Sequence, residues 1–229
     1  MQSNITKACA DFLRESFNAD DLKIKSSHAH EIAAAFFGYS SKAALLAEKK
    51  FPIEKLVDAK LLIPDVELMA ARIQVMQGIS AHLETATILA TQLIHFLQDE
   101  DYFTGDAWLD ESFEDCVREE FSIGHHDEIE AQLLSLIAST NTPFAIEPIY
   151  EGFTHKFSGN QLMVTLAGEL PSNPVPGKKF IAEILSFFVD IEFPRVAGKV
   201  AFLHPQVSVR KDRIFRDPES VASHAARSK

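Results

Sequence analysis

Near Thr142-Pro143 the apolar residues change period, from the 3.6 of a helix towards the 2 of a strand. Helical patterning gathered on one side of that point and strand patterning on the other predict an α+β fold. On the N-terminal side, Ile5 to Phe17 places Ile5, Ala8, Cys9, Phe12 and Leu13 on one helix face. Asp65 to Gln77 repeats the pattern with Val66, Met69, Ala70, Ile73 and Met76, and Asp65 is the predicted N-cap. Ser80 to Gln98 is the longest predicted helix, with a stripe of Leu83, Thr87, Ala90, Ile94 and Leu97. A short helical turn is expected over Ile53 to Asp58, after the break at Phe51-Pro52.

Residues 99–130 are crowded with Asp and Glu, yet Trp108, Leu109, Phe113, Cys116, Val117 and Phe121 keep a helical stripe through them. The spacing predicts an amphipathic acidic helix from Asp106 to Phe121 rather than a disordered acidic tail. His125 to Ala138 reads as another helix, with Ile129, Leu133, Leu136 and Ile137 inward.

On the C-terminal side, Leu162, Val164 and Leu166 alternate with Gln161, Met163 and Thr165. Leu185, Phe187, Val189, Ile191 and Phe193 mark one face of a longer strand beginning at Glu183. Val200 to Val209 is predicted to pair with it through the turn Pro194 to Gly198, and Pro171 to Lys179 is a Pro-rich loop. The expected organisation is a helical domain over 1–141, a small antiparallel sheet over 142–210, and a polar, basic tail over 211–229.

Composition limits the function classes. The net charge of −11 opposes sequence-independent coating of nucleic acid, which relies on neutralising phosphates. Two cysteines, Cys9 and Cys116, lie far apart without a CxxC pair, which fits free thiols in a reducing, cytoplasmic compartment. The charged N-terminus lacks the apolar run of a secretion signal, and Ile79 to Leu97 carries His82, Glu84 and His95, too polar for a membrane span.

Residues 26–50, SSHAHEIAAAFFGYSSKAALLAEKK, form a predicted helix–Gly-Tyr–helix unit. Ser27 is placed to cap the first helix, Glu31 lies near its positive end, and Gly38 is the stop that tolerates positive φ. Ser40 or Ser41 caps a second helix running through Lys49, and Ala33, Ala34, Ala43, Ala44 and Ala47 let the pair approach closely. The spacing of Ala34, Gly38 and Ala44 also suits a helix-turn-helix. The second helix, however, offers only Ser40, Ser41 and Lys42 to a groove. Ser27, His28, Glu31, Ala34, Gly38, Tyr39, Ser41, Ala44 and Leu45 together resemble a small helical module of bacterial, plasmid- and phage-associated proteins, catalogued as glyoxalase-related because it accompanies glyoxalase-like domains. The resemblance implies a bacterial or mobile-element setting and carries no catalytic residue.

No GxSxG, P-loop, GxGxxG or HExxH pattern is present. His28 and Glu31 share a helix face and His30 points elsewhere, short of the three or four ligands zinc requires; His125 and His126 are adjacent and diverge. What remains is charge segregation. The acidic stretch offers Trp108, Asp110, Glu111, Glu114 and Asp115 to a partner, and Arg195, Arg210 and Lys211 introduce a basic C-terminal region. The leading expectation is a non-enzymatic protein that binds a protein partner through the acidic helix or a sheet edge and self-associates. It has no cofactor and no membrane contact. The alternatives are a DNA-binding regulator using residues 27–49 with the basic end, and a metal-dependent enzyme around His28 and Glu31. Ser27, His28, Glu31, Gly38 and Tyr39 are expected to be structural.

Overall fold

The computed structural model describes residues 4–19, 24–76, 85–109, 113–119, 124–140, 142–145, 147–173 and 182–216. It is an α+β fold with helices gathered towards the N-terminus and most of the sheet towards the C-terminus. Asp110, Glu111, the 80–84 start of the predicted long helix, most of the Pro-rich loop and the tail beyond Arg216 lie outside the described residues.

The chain divides into two compact units. The first comprises Met1–Cys116, Gly159–Gln161 and Phe193–His204; the second comprises Val117–Ser158, Leu162–Glu192 and Pro205–Lys229. In the first unit, α1 (Ile5–Ala19) packs on α2 (Ser26–Phe36), α2 on α4 (Val66–Val75), and α4 and α1 on α5 (Ala86–Asp99). Their apolar stripes meet in one core around Cys9, Leu13, Ile32, Phe36, Met69, Leu89, Leu93 and Leu97. Phe12 and Phe96 stack at its margin with ring centroids 4.5 Å apart. Burial pushes the Cys9 thiol up to about 12, so it packs as a small apolar group rather than reacting as a thiolate. The caps explain where two helices begin: Asp65 accepts a hydrogen bond from Leu68 N at 2.9 Å, and Ser41 accepts one from Ala44 N at 3.1 Å.

Three short strands complete this unit. β1 (Leu61–Leu62) pairs in parallel with β2 (Asp106–Ala107) and antiparallel with β6 (Ala201–Phe202), which pairs with the C-terminal end of β5 (Glu183–Ala197). The sheet is therefore mixed rather than purely antiparallel. Of the predicted acidic helix over Asp106 to Phe121, the described residues give helix α6 over Phe113–Glu119, whereas the start is extended: Asp106 N donates to Lys60 O and Trp108 N to Leu62 O. A six-residue 3-10 helix fills Ile53–Asp58.

The second unit is, among the described residues, an antiparallel sheet packed by helix α7 (His126–Ala138). β3 (Ile149–Phe157) pairs with β4 (Gln161–Pro171), β4 lies beside β5, and β7 (Gln206–Arg216) pairs with β5. Alternation along β4 and β5 buries Leu162, Val164, Leu166, Leu185, Phe187, Val189 and Ile191 on one face. α7 packs along β7 and buries Ile129 and Leu133. The predicted Val200–Val209 strand is split in two by residues 203–205, and the basic run from Arg210 continues as strand to Arg216.

Candidate functional site

The helix–Gly-Tyr–helix unit does its work inward. Helix α2 ends in a Schellman arrangement: Gly38 N donates to Ala35 O at 2.8 Å and Tyr39 N to Ala34 O at 2.9 Å, with Gly38 at φ +82°. Ser27 is exposed and makes no capping bond, since Lys25 occupies the cap position of α2. The second helix, α3, spans only Lys42–Leu46. Leu45 is buried and seats it, with Ala44 half-buried against the core beside it, whereas Ala43 and Ala47 are exposed and Leu46 is 60% exposed, so the close approach expected of five alanines holds for Ala33, Ala34 and Ala44 and not for Ala43 or Ala47.

Tyr39 and the segment after α3 build a polar knot with the β5–β6 turn. Glu48 accepts from Tyr39 Oη at 2.9 Å, from the backbone N–H groups of Lys50 and Phe51, and from Arg195 at 3.4 Å. Arg195 also donates to the carbonyls of Gly198 and Gly159, and its guanidinium lies 4.2 Å from the centre of the Phe51 ring. Burial alone would push the Glu48 carboxyl up; the donors around it outweigh that and hold it below its usual range. Burial and the bond to Glu48 raise Tyr39. With every member engaged by another, the cluster pins loop to turn.

Glu31 forms an ion pair with Arg72 at 2.8 Å and accepts from Lys42 N at 3.3 Å. His30 is held below its usual range by burial and by the charge of Lys42. His125 lies 3.4 Å from Glu128, and His126 3.6 Å from Glu130. Among the described residues no three His, Cys, Asp or Glu side chains come together as a metal-binding set.

The residues singled out for a partner scatter. Trp108 is buried between the rings of Phe113 and Phe193, each centroid 5.9 Å away, while Glu114 and Asp115 are exposed on α6. Arg195 belongs to the knot. Arg210 pairs with Asp190, which also accepts from Thr165, and lies over Phe188 at 4.2 Å. Lys211 is exposed and borders an open depression of about 420 Å³ between α7 and β7.

The feature not read from sequence is β3. Among the described residues it ends the sheet order opposite β2, it is nine residues long, and most of its residues are exposed. Phe153, His155 and Phe157 pair with Leu166, Val164 and Leu162, so a row of rings continues the buried face of β4 outwards. Ile149 and Phe157 at its two ends are 56% and 51% exposed. The alternating rings of Phe153, His155 and Phe157 are the signal that marks this strand in the sequence. Glu169 on β4 is raised by burial and by Glu151.

No protein-family model matches the chain, and neither a curated protein nor a solved structure matches it. Among the described residues no helix is long and apolar enough to cross a membrane.

Proposed function

We propose that this chain is a non-enzymatic interaction protein that takes an extended segment of a protein partner onto β3 by strand addition. The observation that carries the reading is the terminal position of β3, combined with exposed apolar side chains at both of its ends. Backbone hydrogen bonds would supply affinity, and the ring row beside β4 would select the partner's side chains. The polar clusters of the molecule support a binding role over catalysis, because Glu31, Glu48, Asp190, Arg195 and Arg210 are each engaged by another residue of the chain. A DNA-reading role has less to use: α3 is five residues long and exposes Ala43 and Leu46. The resemblance of residues 26–50 supports a bacterial or mobile-element setting.

Peptides selected from a random library against the whole chain test this. Hydrogen exchange of the complex is expected to show new protection along 150–157, and Phe157→Lys to weaken binding by about tenfold or more, since a charge at a strand end opposes edge pairing. Protection confined to α6 or to residues 27–49 would overturn it.

A further inference from the structure

The other outer strand, β7, is treated differently. Gln132 of α7 donates from Nε2 to Val207 O at 3.1 Å, and its Oε1 accepts from Val209 N at 2.8 Å. A carbonyl at one residue and an N–H two residues on are the pair that a single residue of an added parallel strand would engage. Backbone groups of residues i and i+2 point to the same side of a strand, so Val207 and Val209 present theirs away from β5 and Ser208 presents its own towards it. The Gln132 carboxamide thus stands in for the N–H and C=O of one residue of a missing neighbour.

We infer that Gln132 is an edge lock: it satisfies β7 where the strand would otherwise template another chain, and a second copy of this protein is the strand it keeps out. Three observations converge on this. Val207 is buried beside α7, and the Gln132 carboxamide is the partner its outward carbonyl finds there. The neighbouring stretch of β7, from Arg210 to Arg213, carries charges of both signs, a second device that opposes edge pairing. Val207 to Val209 has no charge of its own, and that is where the carboxamide sits. The open depression lined by Ser135, Ser139 and Lys211 lies beside the lock and leaves room for the side chain to swing out. The inference concerns β7 alone and is independent of whether β3 takes a partner.

Gln132→Ala and Gln132→Glu in the full chain decide it. In Gln132→Ala the Val209 amide is expected to exchange about tenfold faster, the loss of one hydrogen bond, with the Ser208 amide unchanged. Sedimentation should show larger, concentration-dependent species than the original chain gives, and adding Val209→Pro, which removes the outward N–H, should abolish them. Gln132→Glu keeps the acceptor for Val209 and loses the donor to Val207, so it should associate to an intermediate degree; it decides the matter if Gln132→Ala also loses protection at Ser208. Unchanged Val209 exchange, or faster exchange without added association, would overturn the inference.

Discussion

Glu48 gathers hydrogen bonds from a phenol, a guanidinium and two backbone amides while only 17% of its side chain remains exposed. Such a carboxylate is stabilised in its charged form, which ties the stability of the first unit to pH. Its folded value lies below the ordinary 4.5, so its contribution is fully present above 4.5 and is lost as pH falls through the folded value. Glu48→Gln is expected to lower stability by about 2 kcal/mol at neutral pH, the range for hydrogen bonds to a charged group. Urea unfolding of both proteins should show that gap closing below pH 4.5; a gap independent of pH would remove the charged knot as its cause. None of this is legible in the sequence. Tyr39 stood out beside Gly38, but its partner Glu48 and the distant Arg195 meet only because the β5–β6 turn folds back on the loop, with Gly198 N donating to Phe51 O and Lys199 N to Phe37 O.

Three helix ends are legible, at Gly38, Ser41 and Asp65, whereas Ser27 caps nothing, α3 stops at Leu46 short of Lys49, and the short strands leave no mark in the sequence. Caps are local: Asp65, Ser41 and Gly38 act on backbone groups within a few residues, so the chain spells them out. β1 and β2 are two residues each and exist through pairing with distant segments, leaving no period to read. The stripe from Trp108 to Phe121 therefore suggested a helix through Asp106, where the chain is extended beside Leu61 and Leu62. Gly38 offers the sharpest test at this scale. A Cβ there would lie 2.8 Å from Lys199 Cβ and 3.3 Å from Val200 Cγ1, on a backbone at φ +82°. Gly38→Ala should cost about 1–2 kcal/mol from the left-handed backbone, and more from the contact with Lys199. Thermal unfolding measures it; an unchanged midpoint would mean that the turn relaxes away from β6.

The change of period near Thr142 identified the fold class, but compact units are defined by contacts rather than by patterning. The first unit is completed by residues that follow most of the second in sequence, Phe193–His204. That segment supplies Phe202 O to Lys60 N and Val200 O to Ile63 N, both at 2.8 Å, and it buries Ala197, Val200 and Ala201 in the helical core. It also carries Arg195, the counter-charge of Glu48. A fragment of residues 1–141 keeps every helix of the first unit and loses all of this. The N–H groups of Lys60 and Ile63 and the Phe37 carbonyl lose their partners, and apolar surface that the missing segment covers meets water. The fragment is expected to retain helical circular dichroism yet to melt without a cooperative transition, and to be cut by protease where the whole chain resists. Supplying residues 193–204 through a short linker should restore a cooperative melt. A sharp transition in the bare fragment would show that helix packing alone carries the unit and that the returning segment is an addition to it.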